Sequence, residues 1–395
     1  MSSSVIDDEE KKVEDELFEK YKNIIPEELF RGTTPDDIGE QCFKLAKIYM
    51  ANNNDWRRLC RTKDDLNIRR ITGGLTNQLY YVGLKNHSDE TNNAITIKFY
   101  QSKHFKKDDN DDERLNDTII SIIMSERGLG PKVFGIIPNG IIQSYHEHER
   151  FAPKHQQNDR LLRKLAHCLA QLNSLDIPIA KDKFNLLDIV INYIHDGYHR
   201  INVSSLAKEL NLTGLLENDF LAEMDWFYSF MEQYDNQCPM VFCHNDFRSS
   251  NIMVLKDNEE LLLCDFEYGA YGFRGYDLAT FLIEWGRNIF DFQNLNLPSD
   301  DVLEKFIRFY LEGWDQIDPG YSTKAENSCQ NIMNETKIGY FFCLVVFIGV
   351  TLNQKEAIIE NFEYDPKQIC TGVNYMFKQY LNIKNSLIKE KIIQF

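Results

Sequence analysis

The spacing of apolar residues changes near residue 145 of this 395-residue chain, and this change most limits the fold. Upstream, short apolar runs are separated by turn residues, which predicts two β-hairpins. These hairpins join residues 79–84 to 94–100 and residues 133–137 to 140–145. Downstream, apolar residues recur at helical spacing through residue 236 and again after Asp300. The sequence therefore predicts an α+β fold with two lobes, the first rich in strands and the second rich in helices.

Two helices are also predicted within the first lobe. Residues 33–37 combine hydroxyl groups, a proline and two acids, which is typical of a helix start with a hydroxyl cap. Residues 116–127 carry apolar side chains at helical spacing, and Gly128 is predicted to end that helix. The charged residues before about Glu27 are predicted to be frayed.

The charge balance limits the classes of ligand. The chain has 44 Lys and Arg against 61 Asp and Glu, a formal charge of -17, which repels nucleic acid and anionic lipid and favours a cationic ligand. Residues 1–16 lack the basic start and apolar stretch of a signal peptide, so we expect a cytoplasmic protein. The apolar run 338–352 predicts a buried helix rather than a stable membrane insertion. Nine scattered cysteines, Cys243 and Cys264 among them, are predicted to be reduced thiols rather than nucleophiles.

The residues with the most chemical meaning lie in two neighbouring segments. Residues 244–251 contain His244, Asp246 and Asn251, and after an apolar run Asp265 follows three leucines and a cysteine. Phosphoryl transfer needs a carboxylate near the acceptor hydroxyl and oxygen ligands for magnesium, and these residues supply both. We predict a catalytic role for the two acids and a structural role for His244, which lies beside an apolar strand. Glu267 could bind a second magnesium ion or pair with a nearby cation.

Three upstream features are ambiguous singly but follow the order used by kinases. Gly73 and Gly74 precede a strand, where small residues let backbone amides approach phosphates, although a tight hairpin turn explains them equally well. Lys98 lies in the next predicted strand and could neutralise phosphate groups. Asp117 begins the following helix and could orient that lysine.

The sequence resembles the choline/ethanolamine kinase family from about residue 70 onward, and most closely its choline kinases. The strings that carry this resemblance are residues 71–77 (ITGGLTN), 126–132 (ERGLGPK), 242–246 (FCHND), and 265–268 (DFEY) running on to 274–277 (RGYD). The resemblance implies a two-lobed protein-kinase-like fold with ATP and Mg2+ as cofactors. It also implies a homodimer.

The resemblance assigns a role to each candidate site residue. Asp246 would be the catalytic base, and Asn251, Asp265 and Glu267 would bind magnesium. The residues expected to bind ATP are Gly73, Gly74, Leu75, Thr76, Asn77, Lys98, Asp117, Ser144, Tyr145 and His146. The corresponding domain limits are an acidic terminus at 1–27, a nucleotide-binding lobe at 28–146 and a catalytic and acceptor-binding lobe at 147–395.

The acceptor site is predicted from the chemistry of a quaternary ammonium, which aromatic faces and carboxylates hold because it cannot donate conventional hydrogen bonds. The residues expected to contact the acceptor are Asp246, Tyr268, Glu284, Trp285, Phe347 and Tyr364. For Trp285 and Tyr364, an ordinary place in the aromatic core is an equally good interpretation. Arg274-Gly275 and Glu284-Trp285 resemble the choline branch, so the implied product is phosphocholine, the first intermediate of the CDP-choline route to phosphatidylcholine.

The chain departs from the family pattern at several positions. Phe347 and Val350 stand where choline kinases carry two tryptophans, and Thr280-Phe281 stands where Asn-His is usual. Asp117 replaces the usual Glu, and Arg248 replaces a common Gln, so its charge could help a phosphate or repel a cationic acceptor. Two alternatives therefore stay open: a kinase for ethanolamine or another amino alcohol, and a non-catalytic nucleotide-binding relative.

Overall fold

A computed structural model describes residues 32–74, 76–85, 94–102, 114–234, 237–256, 258–287, 295, 297–354 and 365–394. The predicted α+β architecture is confirmed, since a five-stranded sheet is followed by a mainly helical region. The predictions for residues 1–27 and for the polar turn before residue 94 lie outside the described residues. The same holds for residues 103–113, whose mixed charges predict a solvated loop.

The sheet of the first lobe is antiparallel throughout, in the order β1-β2-β3-β5-β4. Its strands are β1 (Leu66–Ile71), β2 (Gln78–Leu84), β3 (Ala94–Phe99), β4 (Val133–Ile137) and β5 (Gly140–Ser144). Both predicted hairpins are present, and Lys98 lies in β3 between Leu79 and Ile141 of its two neighbours. Helices α1 (Ile38–Tyr49) and α2 (Asn54–Leu59) cover the sheet, and Cys42, Ala46 and Trp56 share its core.

The helical region surrounds two small sheets that carry the motif segments. Strand β6 (His148–Arg150) pairs with β8 (Ile252–Leu255), which pairs with β9 (Leu261–Leu263), while β7 (Met240–Cys243) pairs with β10 (Ala270–Phe273). Most of the helices pack around one continuous core. They are α4 (Pro153–Gln156), α5 (Asp159–Asn173), α6 (Asn185–Arg200), α7 (Val203–Glu209), α8 (Thr213–Leu216), α9 (Phe220–Tyr234), α10 (Arg274–Leu282), α11 (Asp300–Ile317), α12 (Cys329–Asn353) and α13 (Pro366–Lys389).

Helix α3 (Leu115–Glu126) precedes the last two strands of the first sheet, yet its apolar face joins the core of the helical region. Ile120 and Met124 are fully buried there, together with Leu129. Gly128 ends the helix with a left-handed backbone (φ +69°), as predicted. The predicted domain limits stay a prediction. Helix α3 belongs to one hydrophobic core, and the strands that flank it in sequence belong to the other.

Helix α12 confirms the predicted buried helix, although it is longer than the apolar run that indicated it. With 25 residues it is long and apolar enough to cross a bilayer, but 78% of its most apolar window is buried inside the protein. All nine cysteines are free thiols, as predicted. Burial raises the pKa of Cys264 to about 12 and that of Cys243 well above its ordinary value, so both thiols stay protonated.

The predicted start of the first helix was wrong in detail. Helix α1 begins at Ile38, after Asp37, and no hydroxyl caps it. The hydroxyl of Thr34 accepts a hydrogen bond from Arg70 instead (3.2 Å), because residues 33–35 run alongside β1. Strands β1, β6 and β10 were not predicted: β6 and β10 are short, and two adjacent arginines interrupt the alternation of β1.

Helices α10 and α12 approach so closely that only glycine fits at the contact. A Cβ atom at Gly339 would overlap the carbonyl oxygen of Gly275, and one at Gly275 would overlap the carbonyl oxygen of Glu335. The preceding Arg274 is fully buried and pairs with both carboxylate oxygens of Glu335 at 2.6 and 2.7 Å. This contact fixes the start of α10, from which Asp277 points toward the motif segments.

We expect Gly339→Ala to lower the free energy of unfolding by about 1–3 kcal/mol, because the added methyl group forces two backbones apart. Gly372→Ala is the matched control, since a Cβ atom there meets nothing within 4 Å and lies in helix α13. The control should be neutral or stabilising by up to about 1 kcal/mol. Urea unfolding of both variants checks this, and equal stabilities would contradict the close packing of α10 on α12.

Candidate active site

The loop that follows β7 carries Asp246 and is held by its own hydrogen bonds. Asn251 donates from Nδ2 to the Asp246 carboxylate (2.6 Å) and to its backbone carbonyl (2.9 Å). Asn245 adopts a left-handed backbone (φ 60°), which turns the chain sharply before the acid. The predicted base and the predicted metal ligand therefore lie in direct contact on one loop.

Asp277, in the first turn of α10, anchors this loop from beneath. Its carboxylate accepts hydrogen bonds from the amides of His244 (2.7 Å) and Asn245 (2.9 Å), and Asn173 donates to it as well (3.4 Å). The sequence analysis did not assign a role to Asp277. Its place in the family string RGYD was a signal, but only the fold brings it under a loop more than thirty residues away in sequence.

His244 links the two motif segments, as expected of a structural residue. Its Nε2 lies 3.0 Å from the carbonyl oxygen of Cys264, and since a carbonyl can only accept, Nε2 carries the proton. Burial lowers the pKa of His244, which keeps the ring neutral. The amide of Cys264 in turn donates to the carbonyl of Asn251 (3.0 Å), so Asp265 begins beside the Asp246 loop.

Asp265 meets the strand lysine across the boundary between sheet and helical region. Lys98 Nζ lies 2.9 Å from Asp265 Oδ1 and 3.5 Å from Asp117 Oδ2. Burial lowers the pKa of Lys98, but the carboxylates of Asp117, Asp265 and Glu267 outweigh this and raise it above its ordinary value. Burial raises the pKa of Asp265 and Lys98 more than compensates, so the carboxyl stays ionised. Although aspartate is one methylene shorter than the usual glutamate, Asp117 comes within ion-pair distance of Lys98.

Glu267 pairs with a cation that the sequence analysis missed. Arg114 donates to Glu267 Oε2 at 2.7 Å and lies 3.8 Å from Asp117, and Asn77 donates to the same Glu267 oxygen at 3.3 Å. The structure shows the cation pairing of Glu267, and its role in magnesium binding stays a prediction. Arg114 directly follows the charged stretch interpreted as a solvated loop, so its sequence context gave no signal.

The glycine segment joins β1 to β2 as a hairpin connection and lies against the second motif. Gly73 has a left-handed backbone (φ +88°), and its carbonyl accepts a hydrogen bond from Arg150 (3.3 Å). Thr76 bonds through its side chain to Tyr268. At Gly74 a Cβ atom would meet only one carbonyl, at 3.8 Å, and Leu75 lies outside the described residues. Both interpretations of the glycines, turn and phosphate approach, are compatible with this geometry.

Residues 144–146 lie at the end of β5 and connect the two lobes. The amides of Ser144 and Tyr145 are bonded to the carbonyls of Lys132 (2.8 Å) and Ala94 (3.2 Å). The Ser144 hydroxyl lies 2.7 Å from His146 Nε2. A role in nucleotide binding for these three residues stays a prediction.

The predicted acceptor side contains an ion pair. Arg248 Nε lies 3.1 Å from Glu284 Oε1 and 3.7 Å from Asp246 Oδ1, and the amide of Ser249 donates to Glu284 Oε2 at 3.3 Å. Tyr276, which had no predicted role, is buried nearby; burial raises the pKa of its hydroxyl well above the ordinary value, and the Asp246 carboxylate adds to the rise. The structure thus joins Glu284 to the loop of Asp246 through Arg248 and the amide of Ser249.

The remaining predicted acceptor residues are less directly connected. Trp285 packs edge to face against Phe281 of the core, at 6.1 Å between ring centroids. Phe347 is half-buried against the same core, one helical turn beyond Cys343, whose thiol contacts Thr280 (3.7 Å). Tyr364 lies outside the described residues.

The environment of Asp246 suits proton transfer. Burial raises its pKa to about 6; Arg248 and the Asn251 hydrogen bond oppose the rise, while Asp265 and Glu284 add to it. A carboxylate with a pKa near 6 is ionised at neutral pH, yet is a stronger base than an exposed aspartate.

The donor set near Asp265 fits magnesium. Among the residues that the structure describes, no group of three or more His, Cys, Asp and Glu forms a closed metal site. Magnesium at nucleotide sites commonly uses only one or two carboxylates together with phosphate oxygens and water. The Asp265 side chain is 36% exposed and has one oxygen beyond its bond to Lys98, and the preceding residue, Cys264, is bonded to the backbone carbonyl of Asn251 (3.0 Å).

Comparisons with known proteins agree with this geometry. A family profile described as choline/ethanolamine kinase matches residues 68–368. Human choline/ethanolamine kinase is 26% identical over 316 residues, which is 74% of each chain. Choline kinase from Cryptosporidium parvum superposes with a TM-score of 0.63 at 18% identity, covering 89% of this chain and 97% of its own. Plasmodium vivax ethanolamine kinase gives 0.60 at 19% identity, covering 97% and 96%.

The solved structures bear on the fold alone at these identities, and they confirm the two-lobed protein-kinase-like fold. The family profile spans well over half of the chain and includes both motif segments. The predicted resemblance is therefore confirmed, and the chain belongs to the choline/ethanolamine kinase family.

Proposed function

We propose that the chain transfers the γ-phosphoryl group of ATP to the hydroxyl group of a small amino alcohol of the choline and ethanolamine class. The observation that carries this proposal is the Asp246 carboxylate, which Asn251 orients and burial makes more basic. Membership of the family supports the reaction class.

Each residue has a separate task in this proposal. Asp246 orients the acceptor hydroxyl and takes its proton, and Lys98, held by Asp117 and Asp265, lies against the nucleotide phosphates. Asn251 and Asp265 would hold Mg2+, which neutralises charge on the phosphates when it is bound. Residues 73–77 and 144–146 contribute to the nucleotide pocket.

Choline is the acceptor that the sequence motifs favour, with phosphocholine as product. Ethanolamine is the second candidate, because Phe347 and Val350 replace two aromatic groups that would face a quaternary ammonium. The non-catalytic alternative has less support, since Asp246, Asn251 and Asp265 keep the side chains that transfer needs. A homodimer and a cytoplasmic location remain predictions.

We expect Asp246→Asn to lower the turnover of ATP with an amino alcohol by about 10²–10⁴-fold, because the amide cannot accept the hydroxyl proton. ADP release with Mg2+ and choline or ethanolamine measures this. Asp301→Asn is the matched control, since Asp301 is an exposed acid in the first turn of α11. Unchanged turnover in Asp246→Asn, with the control also active, would refute the mechanism.

Asp246→Asn should also stabilise the nucleotide-free, metal-free protein at high pH. Folding raises the pKa of Asp246 from 3.8 to about 6, so the wild type loses stability as the pH rises through this window. The variant lacks this loss and should be more stable by on the order of 1–2 kcal/mol at pH 8, with a smaller advantage at pH 4.5. Urea unfolding at pH 8 and pH 4.5 checks this. A stability difference between variant and wild type that is the same at both pH values would argue against a raised pKa of Asp246.

A further inference from the structure

The acceptor side of the site already contains a fixed cation, the guanidinium of Arg248. It lies between the carboxylates of Glu284 (3.1 Å) and Asp246 (3.7 Å), and its side chain is 27% exposed. These two carboxylates are the groups that would attract a cationic acceptor, and they carry two negative charges against the single positive charge of Arg248. A cationic acceptor therefore meets a net charge of about −1 rather than −2.

The backbone holds Arg248 in this place. Its amide donates to the carbonyl of Asp246 (2.8 Å), and its carbonyl accepts from the amide of Asn251 (2.9 Å). The next residue, Ser249, donates its amide to Glu284 Oε2 (3.3 Å), while Arg248 lies against Glu284 Oε1. Glu284 therefore contacts two consecutive residues of this loop, Arg248 through its side chain and Ser249 through its amide.

The two candidate acceptors respond differently to this arrangement. Glu284 Oε2 accepts a hydrogen bond from the Ser249 amide and Oε1 forms an ion pair with Arg248, so each oxygen retains a lone pair to which a compact primary ammonium can donate. A quaternary ammonium has no donor and stays farther from the oxygens because of its methyl groups. It depends on aromatic faces for attraction, and the Arg248 guanidinium between Glu284 and Asp246 repels it without any hydrogen bond to offset the repulsion.

We infer that Arg248 sets the acceptor selectivity of this chain and directs it toward alcohols with a primary ammonium group, such as ethanolamine, over those with a quaternary one. This inference rests on the proposed function, and it places ethanolamine ahead of choline, the acceptor that the sequence motifs favour. Arg248 acts through the charge and space that it contributes, so it is a specificity-determining residue rather than a base.

The test is a methylation series: ethanolamine, N-methylethanolamine, N,N-dimethylethanolamine and choline. For the wild type we expect kcat/KM to fall along the series by at least about tenfold from first to last, because each methyl group removes a donor that a Glu284 oxygen could accept. Arg248→Gln should flatten or invert this trend, and Arg248→Lys, which keeps the charge, should preserve it. Arg308→Gln, which removes an exposed arginine paired with Glu304 on α11, should leave the series unchanged.

Binding of the same four alcohols to the wild type and Arg248→Gln, each with Mg2+ and ADP, is measured by calorimetry. A wild type that binds and turns over choline better than ethanolamine would overturn the inference, as would an identical order in Arg248→Gln. If the wild type turns over none of the alcohols but binds ethanolamine most tightly and choline least, and Arg248→Gln changes that order, the proposed function is refuted and the selectivity is supported. Binding of none of the four alcohols would overturn both.

Discussion

The site depends on the matching of buried acids with a few cations. Lys98 pairs with Asp117 and Asp265, and Arg114 pairs with Glu267. A buried carboxylate without a partner costs several kcal/mol, so removing one of these cations would leave an acid that the fold could not keep ionised. The two cations come from the sheet and from the start of α3, whereas Asp265 and Glu267 come from the loop after β9. Charge pairing therefore joins parts of the chain that are distant in sequence.

Backbone conformation is the second requirement, because it points the acids toward the same space. Asn245 and Asp265 both have left-handed backbones, with φ of 60° and 64°, which asparagine and aspartate tolerate better than most residues. Asp277 stabilises the first of these turns by accepting two consecutive amides. The loop conformation thus follows from residue types at the turn and from an acceptor supplied by a separate helix.

Much of the fold could be predicted from the sequence, because periodicity and turn residues act locally. The paired strands around Lys98, helix α3 ending at Gly128 and the buried helix α12 all followed from such patterns. The acids of the site were also recognisable, since their spacing reflects one loop and one strand end. The partners Arg114 and Asp277 were not, because their roles depend on distances that only the tertiary fold creates.

Helix α3 belongs to the first lobe in sequence but shares its apolar face with the helical region. Arg114, at the start of α3, and Glu267, after β9, therefore both belong to the helical region. A shift of the five-stranded sheet relative to that region would leave their bond intact. Lys98 lies in the sheet, so the same shift would lengthen its distances to Asp117 and Asp265. Such a shift would therefore act first on Lys98, while Arg114 and Glu267 would keep their contact.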